Sequence, residues 1–259
     1  MLLEGRVAIV SGVGPGLGRA MALALAREGA HVTVAARTKS FVDQLAGEVR
    51  ELGREALALP TDITDPEQAK RLPDATFERF GRIDVLINSA ASRGTYAHVV
   101  DADIEEWRRA LDVNVVGTMS VCKFTAPYMI EAGRGSIVNI SSRIMRQGME
   151  NRSSYSASKA GVVLFSQCLA DELGPQGVRV NCVVPGHIWS DSLKEFYEMR
   201  AKMLGKTYDE VYADYTGMMA LRRIPTPEEI ANVVIFLASD LSSAMTGQSV
   251  DVNAGHFYH

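Results

Sequence analysis

The chain has 259 residues, 47% of them hydrophobic and 22% charged, which is enough apolar material for a large buried core. That excludes disorder, collagen-like repeats and disulfide-stapled miniproteins. Its 27 Lys and Arg stand against 31 Asp and Glu, a formal net charge of −4 with no basic run, so sequence-independent nucleic-acid binding is excluded too.

Residues 6–11 (RVAIVS) form a short apolar run and are expected to be a buried strand. Helical spacing of Leu17, Met21 and Leu25 follows over 16–28. A strand over 31–36, a helix over 41–52 and a short strand over 56–60 come next. A helix is expected over 65–80, broken or kinked at Pro73, which cannot donate a backbone hydrogen bond. Then come a strand over 83–88, a largely helical stretch over 104–131 and a strand over 135–141. A helix over 153–173, a strand over 178–184, a helix over 227–239 and a last strand over 248–252 complete the order. Fully apolar strands alternating with helices predict a parallel sheet covered on both faces. No Gly-, Pro- or Ser-rich linker and no repeat interrupts the order. The expected fold class is α/β: a single doubly wound domain spanning 1–259, with a seven-stranded parallel sheet and helices on both faces.

Cys122, Cys168 and Cys182 are odd in number and widely spaced among apolar neighbours, so they are expected to be buried, reduced thiols. His31, His98, His187, His256 and His259 show no ligand spacing, and no metal is expected. No apolar run approaches the roughly 18 residues of a membrane span. Residues 1–5 lack signal-peptide architecture, so a cytoplasmic location without a membrane partner is expected.

Between the first strand and first helix lies Ser11-Gly12-Val13-Gly14-Pro15-Gly16-Leu17-Gly18. Glycine is ordinary turn punctuation, but at a strand-to-helix turn it also lets a pyrophosphate reach the backbone N–H groups of the helix end. On that reading Gly12, Gly16 and Gly18 are where side chains would block the approach. Tyr155 and Lys159 stand four apart on one helix face. A nearby ammonium and an oxidised nicotinamide would both favour the phenolate, and moving the tyrosine pKa by about 3 units needs about 4 kcal/mol. Tyr155 would then be the acid for carbonyl reduction or the base for alcohol oxidation. The alternative is a surface Tyr and Lys without chemistry.

The second strand ends Val34-Ala35-Ala36 and runs into Arg37-Thr38-Lys39-Ser40. No carboxylate stands there to accept from a ribose 2′-OH, and Arg37 can face a 2′-phosphate, with hydroxyls of Thr38 and Ser40 nearby. NADP(H) is therefore favoured and NAD(H) remains possible, since Arg37 could instead stack on adenine. Asp62 is expected to accept from the adenine amino group, or else to cap a turn.

These residues and their spacing resemble the single-domain branch of the short-chain dehydrogenase/reductase family, whose fold is of the Rossmann type. The glycine segment has the Gly-x-x-x-Gly-x-Gly pattern. Asn88-Ser89-Ala90-Ala91 stands where the family has Asn-Asn-Ala-Gly. Asn114 lies in Val113-Asn114-Val115-Val116-Gly117. Ser142 precedes Tyr155 by thirteen residues, Tyr155–Lys159 is Tyr-x-x-x-Lys, and Pro185-Gly186 follows the sixth strand. Departures are Ser11 for Thr, and Ser89 and Ala91. The resemblance implies an NAD(P)-dependent oxidoreductase acting on a small-molecule carbonyl or secondary alcohol. It implies catalytic roles for Asn114, Ser142, Tyr155 and Lys159: Ser142 holds the substrate oxygen, Lys159 also binds ribose hydroxyls, and Asn114 holds a water relaying protons to Lys159. Asn114 could also be a helix-kink residue bonded to backbone. The cofactor site is expected at Gly12, Gly16, Leu17, Gly18, Arg37, Asp62, Ile63, Asn88, Tyr155, Lys159, Pro185, Gly186, Ile188 and Ser190. A homotetramer is implied, built through the 153–173 helix and the last strand.

Residues 187–221 hold six of the 18 Phe, Trp and Tyr residues, and four methionines, and are expected to be a substrate lid. Such a cover suits a hydrophobic substrate, although the same residues could simply pack lid helices onto the body. Arg143, Arg146 and Arg152 could attract an anionic substrate group, or face solvent or an interface. Phe257 and Tyr258 are expected against another subunit, or folded back on their own. Two rival functions remain: an epimerase or dehydratase, for which the chain has no second domain, and a nucleotide-binding sensor without turnover.

Overall fold

The computed structural model describes residues 1–258. Seven strands form one parallel sheet: β1 (Val7–Ser11), β2 (His31–Ala36), β3 (Ala56–Pro60), β4 (Val85–Asn88), β5 (Gly135–Ile140), β6 (Val178–Pro185) and β7 (Ser249–Val252). Their spatial order is β3-β2-β1-β4-β5-β6-β7. The order reverses between β1 and β4, which pair Ala8 with Val85 and Ser11 with Asn88. That reversal opens a crevice at the carboxyl ends of the strands, where ligands bind in open α/β sheets.

Each face of the sheet has its own core, because successive strand side chains point to opposite faces. Ala8 and Val10 meet Met21 and Leu25 of α1 (Leu17–Arg27), Val42 and Val49 of α2 (Lys39–Glu51), and Ile230 and Val234. Ile9, between them, meets Leu72 of α3 (Pro66–Phe80) and, further along, Val121, Met129 and Leu169 on the opposite face. Asp65 starts α3 by accepting from Glu67 N and Gln68 N, with Pro66 in the first turn. The break expected at Pro73 does not occur: α3 is continuous to Phe80. Pro73 is buried beside Leu72 and Thr76, and Thr76 Oγ1 donates to Leu72 O at 2.8 Å, so packing holds the turn that lost its hydrogen bond.

The largely helical stretch resolves into α4 (Ile104–Leu111), a π-helical turn over Asp112–Gly117, and α5 (Thr118–Glu131). Next come α6 (Ser153–Leu173), then α7 (Asp191–Leu204) and α8 (Tyr208–Thr216) within 187–221, then α9 (Pro227–Ala238). α9 opens with a Thr226–Glu229 capping box. β7 has only β6 as a partner and is a sheet edge, as expected. Arg146 covers it, donating to Ser249 O at 3.1 Å and to Asp251 at 2.9 Å.

Cys122 and Cys182 are buried, but Cys168 is exposed, because it lies on the outward face of α6; all three are free thiols. Among the described residues no group of three His, Cys, Asp or Glu could hold a metal ion. No helix among them is long and apolar enough to cross a membrane. Part of the tail packs on its own chain. Phe257 lies under the Arg143 guanidinium, with Cζ 5.0 Å from the ring centroid, and stacks on His256 at 4.5 Å. Asn253 Nδ2 donates to Phe257 O at 3.3 Å, while Tyr258 is exposed.

Candidate active site

The turn after β1 is built by two close approaches. Gly12 has φ +90° and its N–H donates to Ala35 O at 2.7 Å. A Cβ there would lie 2.0 Å from Ala90 N, and one on Gly18 would lie 2.6 Å from Val13 Cα. These two glycines are thus required by the protein's own backbone, a reason the sequence reading did not give. Gly16 faces open space and precedes α1, whose first turn has no side-chain cap and no acidic residue. An uncapped N-terminus with its positive dipole end open suits a pyrophosphate. Leu17, the first residue of α1, is partly buried and packs against the core.

Beside this turn lies a cavity of about 440 Å³. Gly12, Arg37, Asp62, Ile63 and Ser89–Ser92 line it, with Thr38 and Thr61. Arg37 is exposed at the mouth. Asp62 Oδ1 accepts from Thr64 N at 3.0 Å and Thr64 Oγ1 at 2.8 Å, so it also builds the turn. Those bonds, the backbone N–H above all, hold its carboxyl below the ordinary value, and Arg37 adds to the effect. Glu106, Arg109 and Val113 form a wall that the sequence reading missed; helix-surface Glu and Arg carry no sequence signal of their own.

Asn88 does not line the cavity. Its Nδ2 donates to Asn139 Oδ1 at 2.8 Å and Cys122 Sγ at 3.2 Å inside the protein, tying β4 to β5 and α5. Pro185, Gly186, Ile188 and Ser190 also lie outside that cavity's lining. Gly186 N donates to Val252 O at 3.2 Å, tying this loop to β7, and Ser190 caps α7 by accepting from Leu193 N.

The proposed chemical groups gather where β5 meets α6. Ser141 and Ser142 separate by strand alternation: Ser141 is buried and donates to Lys159 O at 2.9 Å, while Ser142 is half-buried and caps the turn after β5. Lys159 is 3% exposed, with Nζ donating to Ile140 O at 2.8 Å and lying 5.9 Å from the Tyr155 ring centroid. Burial pushes its ammonium down to about 8. Burial also pushes the Tyr155 phenol up, against the pull of the Ser142 hydroxyl and the charges of Arg152 and Arg93. Arg152, with Cζ 4.8 Å from the ring centroid, stands closer to Tyr155 than the Lys159 ammonium does. Asn114, fully buried in the π-helical turn, brackets two elements. Its Nδ2 donates to Ser92 O and to Ser158 Oγ, both at 2.8 Å, and its Oδ1 accepts from Ser92 N at 2.7 Å. Single π turns of this kind occur frequently at functional sites.

His187, after Gly186, is held down to about 4 by burial, with help from Arg143 and His256. A base with a depressed pKa in the folded state stabilises the fold above its unfolded value, and that contribution is lost as pH falls from about 6.5 towards 4. We expect His187→Phe to flatten urea stability between pH 7.5 and 5 relative to the parent, by about 2 kcal/mol. Parallel stability curves would overturn this assignment.

The comparisons agree with this geometry. The family model described as enoyl-(acyl carrier protein) reductase matches residues 12–256. The 3-oxoacyl-(acyl-carrier-protein) reductase of Thermotoga maritima is 35% identical over 255 residues, covering 98% of this chain and 99% of that protein. Among solved structures, NAD+-bound xylitol dehydrogenase gives a TM-score of 0.89 at 31% identity, covering 97% of this chain and 99% of the other. A variant of actinorhodin polyketide ketoreductase with NADPH gives 0.89 at 32% identity, covering 98% of both chains. The chain belongs to the short-chain dehydrogenase/reductase family. It is an NAD(P)-dependent oxidoreductase of carbonyl and alcohol substrates.

Proposed function

We propose that the chain interconverts a ketone and a secondary alcohol on a substrate with a bulky apolar body, with NADP(H) preferred over NAD(H). The observation that carries the chemistry is the meeting of Ser142, Tyr155 and Lys159 at the end of β5. The Ser142 hydroxyl holds the substrate oxygen. The Tyr155 phenol, protonated because burial raises its pKa, gives its proton to that oxygen in reduction and takes it back in oxidation. Lys159, anchored on Ile140 O, presents its ammonium to ribose hydroxyls. Asn114 keeps α6 in register through Ser158, and the proton relay to Lys159 is placed here. The nicotinamide, when bound, supplies or accepts the hydride. Gly12, Gly16, Leu17 and Gly18 hold the pyrophosphate, Asp62 and Ile63 the adenine side, and Pro185, Gly186, Ile188 and Ser190 the nicotinamide side.

Support for NADP(H) comes from Arg37 at the cavity mouth, with no carboxylate closing β2. Arg37→Asp replaces an attraction with a repulsion towards the 2′-phosphate. We expect it to lower kcat/KM for NADPH by about a hundredfold or more and to shift preference to NADH. A parent enzyme that already prefers NADH would overturn the cofactor reading. Support for the apolar substrate comes from the apolar character of 187–221, read as the lid, where Trp189, Tyr197, Tyr208, Tyr212, Tyr215 and Met219 pack into one cluster. A cytoplasmic homotetramer completes the proposal, through α6 and β7. A carbonyl panel with both cofactors, read as nicotinamide absorbance, tests the function; binding without turnover would instead mark a sensor.

A further inference from the structure

Arg143 follows Ser142 directly, yet its side chain has no counter-ion among the described residues. Its contacts are His187 Nε2 at 3.2 Å and the face of Phe257. Its neighbours in sequence are provided for: Arg146 pairs with Asp251 at 2.9 Å, and Arg152 lies over Tyr155. Burial lowers the Arg143 pKa, and only the phenols of Tyr215 and Tyr197 oppose that. A guanidinium can only donate, so His187 Nε2 accepts from it and the imidazole proton sits on Nδ1. That Nδ1–H is buried and without a partner, as are His256 Nδ1 and the Tyr197 hydroxyl. The rings form one cluster, with centroids 5.3 Å apart for His187 and Tyr215, 5.1 Å for Tyr197 and Tyr215, and 5.8 Å for His187 and His256.

A half-buried cation beside an unpartnered N–H donor, walled by aromatic rings, has the chemistry of a carboxylate site attached to an apolar one. An unpaired buried charge is unfavourable, and an incoming carboxylate would relieve it. We propose that Arg143, with the His187 Nδ1–H beside it, binds a carboxylate on the substrate, so that the substrate is an oxo acid or hydroxy acid with an apolar body. This rests on the oxidoreductase reading above and narrows its substrate class. Because Arg143 follows Ser142 in the chain, the proposed carboxylate and the reacting carbonyl would belong to one molecule.

The test compares phenylpyruvate, benzoylpropionate and benzoylbutyrate, each beside its methyl ester, with both cofactors. At least one acid is expected to exceed its ester in kcat/KM by about tenfold or more. Arg143→Met should bring the ratio to within about threefold of unity, and Arg143→Lys should retain part of it. Titration calorimetry of phenylbutyrate and phenylbutyramide into the cofactor-saturated enzyme gives a readout free of turnover, with the acid tighter and the difference lost in Arg143→Met. If Arg143→Met does not fold, His187→Phe decides, with an expected fall of about threefold or more in the acid-to-ester ratio. Equal treatment of acids and esters by the parent, or an undiminished preference in the folded variants, overturns the carboxylate site. Turnover of neutral ketones in that case leaves the oxidoreductase reading intact. Absence of all turnover would overturn that reading, and the titration alone would then decide the site.

Discussion

Tyr155→Phe is expected to lower kcat by about a thousandfold while cofactor affinity stays within about twofold of the parent. Phenylalanine keeps the ring that sits under the Arg152 guanidinium and beside Lys159, and removes only the hydroxyl proposed to exchange a proton with the substrate oxygen. Because burial raises the phenol's pKa, the group is protonated at neutral pH in the unliganded protein. Carbonyl reduction therefore needs no preliminary proton uptake, whereas alcohol oxidation should accelerate as pH rises and the phenolate becomes populated. Steady-state rates in both directions, with cofactor binding followed by fluorescence, check both statements. Activity within tenfold of the parent would end the assignment of Tyr155 as the proton donor.

Gly12→Ala should be nearly as damaging, for a different reason. The new Cβ would lie 2.0 Å from Ala90 N and 2.2 Å from Ala90 Cα, and both are backbone atoms that cannot rotate away. The residue also has φ +90°, which an L side chain resists. We expect about 3–5 kcal/mol of destabilisation and loss of cofactor binding, because the β1 turn and the loop after β4 must part. Gly14→Ala is the control: nothing lies within 4 Å of its Cβ position, so stability should change by less than about 0.5 kcal/mol. Urea curves for both variants check the contrast, and equal curves would refute it.

The parallel sheet was readable from the sequence because strands buried on both faces leave uninterrupted apolar runs, as in Val7–Ser11 and Val85–Asn88. Tyr155 and Lys159 were readable because four residues on a helix fix their common face. What escaped depends on contacts between distant segments. Arg143 and His187 lie 44 residues apart, and neither carries a signal of the other. The break read at Pro73 did not occur because propensity weighs the lost hydrogen bond, while α3 is held by what it packs against. The two aromatic residues of the tail do not say which surface they meet: Phe257 lies under an intramolecular cation, while Tyr258 stays exposed. Asn88 is a finer case: the motif places it in sequence, but not the bonds its amide makes to Asn139 and Cys122 inside the protein.

The tie between Gly186 N and Val252 O has a consequence for the order in which the protein matures. A Cβ on Gly186 would lie 2.8 Å from that of Asn253, so the loop after β6 rests directly on the segment after β7. On the ribosome, residues 185–190 emerge more than sixty residues before the segment that braces them. The glycine turn, the Arg37 corner and the Tyr155 helix can all assemble in that interval, but the floor proposed for the nicotinamide end cannot. A nascent chain would thus acquire its grip on the adenine half of a dinucleotide well before its grip on the reactive half, and redox chemistry would begin only once β7 has docked.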